Sequence, residues 1–288
     1  MTAIYKRELK SYFHSMIGYI MIAFLVAFAG IYFMAYNLSY GYPYFAYVLS
    51  GMMFVFLIII PVLTMRSFAE DRKNKTDQLL LTAPVSLWEI VMGKYLAMVT
   101  VFAVPCLIYL VFPLIIKMQG TAYILVDYLA ILTFFLMGCV YIAIGMFVSS
   151  LTQSQIIAAV GTFGILLVLY LWSGILDFLP TSAWANAFGA VLLISVVVLL
   201  IWYMTKNWML CGILELINIA VNVIVYILKS TVYESLLINV LGRVNLSDTF
   251  NNIASNDLLD VSGIVLYLSL IGLFIFLTMQ MIQKRRWS

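Results

Sequence analysis

Met16-Ile-Gly-Tyr-Ile-Met-Ile-Ala-Phe-Leu-Val-Ala-Phe-Ala-Gly-Ile-Tyr-Phe-Met-Ala-Tyr-Asn37 carries no charged residue. A helical crossing of a bilayer needs about 20 apolar residues, and this run supplies them. Working outward, no Asp, Glu, Lys or Arg occurs between Lys10 and Arg66. The same holds between Lys94 and Lys117, Asp127 and Asp177, Asp177 and Lys206, and Asp260 and Lys284. Of the 288 residues, 65% are hydrophobic and 9% charged, against about 25% charged in a soluble domain. That balance excludes an ordinary soluble protein, a disordered chain and a nucleic-acid-binding one. The short alternating segments of a membrane β-barrel are also missing. An all-α, polytopic helical membrane protein is expected, with the lipid bilayer as its first partner.

Eight spans are predicted, at about 16–37, 44–65, 95–116, 124–148, 156–177, 186–205, 209–228 and 261–283. Lys and Arg concentrate in cytoplasmic loops. With both termini inside, Lys6, Arg7, Lys10, Arg66, Arg72, Lys73, Lys75, Lys94, Lys206, Lys284, Arg285 and Arg286 are cytoplasmic. Only Lys117, Lys229 and Arg243 fall outside. The seventh span is interrupted by Glu215, Asn218 and Asn222, and dropping the sixth and seventh together gives a six-span alternative with the same termini. Residues 1–14 alternate charge with Ile4, Tyr5, Leu9, Tyr12 and Phe13, the pattern of an amphipathic helix on the membrane surface. Residues 229–260 form an outer amphipathic segment. A full-length span follows the charged N-terminus without a small-residue cleavage site, so no cleaved leader is expected.

Several chemistries have no support. The Gly-rich phosphate cradle of ATPases is absent: Gly93-Lys94 is followed by Tyr95, and no glycine precedes Lys229-Ser230-Thr231. The single histidine, His14, precedes the first span, which leaves no His-based metal site or Ser–His pair at membrane depth. Cys106, Cys139 and Cys211 lie inside apolar runs and read as small apolar fillers. The chain is therefore expected to have no catalytic, metal or cofactor site of its own.

The most informative polar stretch is Arg66-Ser-Phe-Ala-Glu-Asp-Arg-Lys-Asn-Lys-Thr-Asp-Gln-Leu-Leu-Leu-Thr-Ala-Pro-Val-Ser86, which continues through Trp88-Glu89 to Gly93-Lys94. It reads as a charged turn and a short helix over 76–83 that ends before Pro84. A second helix starts at Ser86, where Ser86 and Glu89 form a capping-box pattern. A structured cytoplasmic loop at 66–94 suits docking to a soluble partner.

Arg66, Glu70, Asp71, Thr76, Leu80, Leu81, Pro84, Val85, Ser86, Gly93 and Lys94 resemble the loop between the second and third spans of ABC-2 type transporter permeases. Asp71 departs from that pattern, where Glu is usual. The C-terminal Asn245-Leu-Ser-Asp-Thr-Phe250, Val261–Tyr267 and Lys284-Arg-Arg-Trp287 are similar to a subgroup that includes gliding-motility and nitrous-oxide-reductase-maturation permeases. The resemblance covers about 1–180 and 230–288, which makes 184–229 an inserted helix pair on a six-helix core. It implies a single permease domain in a prokaryotic cytoplasmic membrane. It also implies a second permease subunit, in a homo- or heterodimer, and a dimer of cytoplasmic ABC ATPase subunits that hold ATP and magnesium. An accessory extracytoplasmic subunit fits the same picture. Arg66, Glu70, Asp71, Thr76, Leu80, Leu81 and Pro84 would then couple ATP hydrolysis to export or mechanical work.

Glu215, Asn218 and Asn222 fall at i, i+3 and i+7, on one helix face. They read as a pathway or helix-packing stripe, or as a snorkelling Glu beside inter-helix asparagine bonds. Tyr40, Tyr42, Tyr44 and Tyr47 fit an interfacial aromatic belt. The leading reading is a transporter permease subunit. The rival is a membrane scaffold or assembly protein without transport, and a lipid-modifying enzyme ranks third.

Overall fold

A computed structural model describes residues 1–77, 85–256 and 260–287. Every regular element among these residues is helical. The chain divides into two compact units, Met1–Tyr170 with Leu246–Ser288, and Leu171–Asn245.

The first unit opens with α1 (Thr2–His14), which buries Ile4 and Tyr12. Next comes α2 (Ile17–Phe33), which widens into a π-type turn over Met34–Ser39. Asn37 closes the following bend, its Nδ2 donating to the carbonyls of Tyr42 (2.7 Å) and Tyr44 (3.1 Å). Helices α3 (Ala46–Gly51), α4 (Phe56–Thr64) and α5 (Ala69–Lys73) continue this strand of the unit. Fully buried Asp127 caps α3 from another helix, accepting from the amides of Phe45 (2.7 Å) and Ala46 (3.2 Å). That satisfies amide groups that would otherwise be orphaned at a helix start.

The next helix, α6, runs over Leu87–Tyr109 and is followed by α7 (Phe112–Gln119). The break between them has a local cause. Pro113 has no N–H to donate, and its ring collides with the carbonyl four residues earlier, at Tyr109. Helices α8 (Ile124–Leu151) and α9 (Gln155–Tyr170) follow, and α14 (Leu246–Asn256) and α15 (Val261–Trp287) complete the unit. Asp260 caps α15: its Oδ1 accepts from Ser262 Oγ (2.7 Å) and the Gly263 amide (3.0 Å). The Ser262 hydroxyl bond, then the Gly263 amide, hold this carboxyl below its usual range.

The second unit contains α10 (Trp172–Asp177), α11 (Ala183–Thr205), α12 (Trp208–Leu228) and α13 (Leu236–Gly242). A tight reversal at Lys206-Asn207 joins α11 to α12, with Lys206 in the left-handed region at φ 51°. The expected stretch 184–229 lies within this unit.

Among the described residues, seven helical segments are long and apolar enough to cross a membrane: Ile17–Ser39, Ala46–Lys73, Leu87–Gln119, Ile124–Leu151, Ala183–Tyr203, Cys211–Leu228 and Val261–Arg285. The protein is an all-α, integral membrane protein. The expected span at 156–177 is the exception. Its helix stops at Tyr170, which leaves an apolar helix of only 16 residues. The chain then enters the second unit, where Trp172 Nε1 donates to the Leu241 carbonyl at 2.9 Å.

Aromatic packing holds the first unit together. Phe56, Phe102 and Phe134 interlock with centroid separations of 4.5 to 6.4 Å. The buried tyrosines donate to backbone carbonyls: Tyr109 to Leu25 (3.0 Å), Tyr95 to Cys139 (3.2 Å), Tyr12 to Leu63 (3.1 Å), and Tyr267 to Leu246. Each bond satisfies a polar group that hydrocarbon cannot.

Close approach of α6 and α8 requires Gly138. A Cβ there would sit 2.3 Å from the buried ring of Phe102. Gly138→Ala should destabilise the purified protein by roughly 1–3 kcal/mol, the usual cost of overpacking. Gly164→Ala, where a Cβ meets nothing within 4 Å, serves as the control. Thermal unfolding in detergent compares the two, and equal melting temperatures would contradict this packing.

Candidate functional site

The loop singled out in the sequence meets α1 and α6 at a cluster of charges. Its first part is short helix α5, fixed at its start by Ser149 at the end of α8. The Ser149 hydroxyl accepts from the amides of Phe68 (3.2 Å) and Ala69 (3.1 Å) and donates to the Met65 carbonyl (3.2 Å). Arg72 adds a second tie, from Nη1 to the Thr152 carbonyl at 3.3 Å.

Glu70 and Asp71 take different partners. Glu70 pairs with Arg66 one turn earlier through two contacts, Nε–Oε2 at 2.8 Å and Nη2–Oε1 at 3.0 Å. Both side chains are about one-third exposed, at 28% and 32%, so the pair adds only a fraction of a kcal/mol. Asp71 points the other way, to Lys94 of α6. Its Oδ2 lies 2.6 Å from Lys94 Nζ, and its Oδ1 accepts from Thr76 Oγ1 at 2.9 Å. Thr76 also donates its amide to the Asp71 carbonyl at 2.9 Å, which folds the chain back after α5.

Lys94 is the centre of the cluster. Its side chain is 2% exposed. A second carboxylate reaches it from α1, with Glu8 Oε1 at 3.0 Å, and Arg7 Nη2 contacts the same oxygen at 2.6 Å. The ammonium also lies 5.3 Å from the Phe68 ring centroid. Two positive and two negative groups therefore meet in one partly buried place. Three segments far apart in sequence supply them.

The neighbouring residue makes this meeting sterically feasible. A Cβ on Gly93 would lie 3.0 Å from Ile4 Cγ2 and 3.4 Å from the Tyr5 amide, so α1 can lie directly against α6. At the start of α6, Ser86 Oγ accepts from the Glu89 amide at 3.3 Å, and Glu89 Oε1 pairs with the terminal amine of Met1 at 3.3 Å. Helix α6 runs unbroken from Leu87, so Gly93-Lys94 falls inside it rather than opening it.

Of the expected loop residues, the structure forms two separate pairs, Arg66 with Glu70 and Thr76 with Asp71, and only Asp71 reaches the Lys94 cluster. Leu80, Leu81 and Pro84, with the rest of the expected 76–83 helix beyond Asp77, lie outside the described residues. Glu8 and the ion-pair role of Lys94 went unread in the sequence. The available signal was a lone Glu among Lys6, Arg7 and Lys10 on an amphipathic helix.

A second polar constellation occupies the other unit. On α12, Glu215, Asn218 and Asn222 share one face and turn it toward α11. Glu215 Oε1 accepts from Ser195 Oγ at 2.5 Å and from Asn218 Nδ2 at 3.4 Å. Asn218 Nδ2 also reaches the Val191 carbonyl at 3.3 Å. Asn222 Nδ2 donates to Asn218 Oδ1 at 2.9 Å, and Tyr233 donates to Asn222 Oδ1 at 2.8 Å. This is a seam of neutral donors that ends in one carboxylate.

Removing the Lys94 charge leaves Glu8 and Asp71 facing each other with little water. Lys94→Met should cost roughly 3–5 kcal/mol, the penalty of breaking a buried pair by deleting one partner. Adding Glu8→Gln and Asp71→Asn should recover much of that loss. Thermal unfolding of the single and triple variants measures both. A single variant as stable as the parent would contradict a compensated buried ammonium.

A family model for the ABC-2 family transporter protein matches residues 3–281, nearly the whole chain and including the 184–229 stretch. A comparison with curated proteins finds no match. With apolar helices of spanning length and a family match of this extent, the chain belongs to the ABC-2 transporter family and is a membrane component of a transporter.

Proposed function

We propose that this chain is the permease subunit of an ATP-driven transporter in a prokaryotic cytoplasmic membrane. It does not itself catalyse a reaction. A separate cytoplasmic ABC ATPase dimer binds ATP and magnesium and docks on the 66–94 loop. Two permease subunits, identical or related, form the membrane part. ATP-driven closure of the ATPase pushes the loop, and the membrane helices follow.

The observation that carries this reading is the Lys94–Asp71–Glu8 cluster. A push can be transmitted only through an element that does not yield where it joins the spans. Here the base of the loop is tied at one point to α1 through Glu8 and to α6 through Lys94, and at another to α8 through Ser149. Glu70 and Arg66 stay partly exposed beside it, so they are available to a partner. In this reading Leu80, Leu81 and Pro84 belong to the same coupling set.

Glu70→Ala combined with Asp71→Ala should leave membrane insertion unchanged and abolish stimulated ATP turnover, or detach the ATPase. Turnover in reconstituted vesicles and co-purification of the ATPase measure the two outcomes. Normal transport by the double variant would remove the loop from the coupling route. The accompanying topology counts the short apolar helix Gln155–Tyr170 as a crossing beside the seven longer ones, and with eight crossings both termini are cytoplasmic. Cysteine tags at positions 120 and 245 should label from outside, and tags at 74 and 287 only from inside. Labelling at 287 from outside would overturn that orientation.

A further inference from the structure

We propose that the cleft between α11 and α12 binds an amphipathic amine, with Glu215 as counter-charge and the indoles of Trp202 and Trp208 as its walls. The cleft has a volume of about 360 Å³, within the range of small-molecule sites. Ser195, Leu199, Gly212 and Glu215 line it together with the two indoles. The rings meet edge to face, with centroids 5.1 Å apart.

Three observations select the ligand class. Glu215 has neutral neighbours, Ser195 and Asn218, and no Lys or Arg pairs with it among the described residues. A carboxylate within an apolar helix of spanning length gains from a cation that enters beside it. Indole faces favour that same charge through their negative quadrupole. Finally, Trp202 Nε1 is buried and makes no hydrogen bond, although buried indole N–H groups normally find an acceptor. A ligand with an ammonium, an apolar body and one hydrogen-bond acceptor meets all three demands. A bare acyl chain meets none of them, and an anionic amphiphile could offer an acceptor to Trp202 but is repelled by Glu215.

Gly212 provides a test that does not disturb the hydrogen-bonded seam. Gly212 lines the cleft and a Cβ built there meets no atom within 4 Å, so a larger side chain fits at the cleft wall without displacing the helices. The experiment uses the full-length chain in phosphatidylcholine nanodiscs, without ATP or any ATPase, so that its outcome is separate from the coupling reading. The probe is rhodamine 6G, a lipophilic cation with an ester carbonyl, followed by fluorescence anisotropy. Saturable binding is expected, displaced by dodecyltrimethylammonium but not by dodecyl sulfate. Glu215→Gln should weaken it about tenfold or more. Gly212→Leu should abolish it at an unchanged melting temperature. Trp202→Phe keeps a smaller aromatic face but loses the N–H. It should weaken the rhodamine more than dodecyltrimethylammonium, which has no acceptor and loses only part of the ring contact. Parental affinity in both Glu215→Gln and Gly212→Leu would overturn the proposal. So would equal displacement by dodecyl sulfate, which would mark a lipid-filled groove. Disulfide dimers formed through Gly212→Cys would do the same by showing that a second copy covers the cleft.

Discussion

A buried ammonium must be compensated, and much of the first unit's loop-bearing end follows from how Lys94 meets that demand. Its charge sits in surroundings where an isolated ion would be too costly to keep. Asp71 from the loop and Glu8 from the N-terminal helix converge on it. Once both carboxylates are required, α1 must lie on α6, and the residue at the crossing has to be small. Gly93 supplies that space. Phe68 contributes its ring, and Ser149 holds the backbone that positions Phe68.

The two carboxylates of the loop illustrate how context divides similar residues. Glu70 reaches one turn back to Arg66 in a half-solvated pair that contributes little to stability. Asp71, the next residue, faces inward on a five-residue helix and closes a buried pair. A change at Glu70 therefore acts on what the loop shows to a partner. A change at Asp71 acts on how the loop is held.

The second unit uses a different device. Along the facing sides of α11 and α12 the polar groups are neutral apart from Glu215, and they bond to one another. Amide and hydroxyl bonds of this sort let two otherwise apolar helices recognise each other where the hydrophobic effect gives no preference. The exposed apolar outer surfaces of the same helices suit a surrounding of lipid chains.

The long uncharged runs by themselves determined an all-α membrane protein, because only helices and closed barrels satisfy the backbone in hydrocarbon and the short alternating segments of a barrel are missing. Periodicity placed Glu215, Asn218 and Asn222 on one face, and the spacing of Ser86 and Glu89 announced a helix start. Tertiary structure decided what local sequence does not encode. It paired Asp71 and Glu8 with Lys94 across more than 80 residues of Glu8-to-Lys94 separation. It set Asp127 as the cap of a distant helix, and it ended the helix begun at Gln155 at Tyr170, where Trp172 finds its acceptor in Leu241. Periodicity reports which side of a helix a residue occupies. Which other helix arrives on that side depends on packing of the whole unit, and the partner of a buried charge is chosen only there.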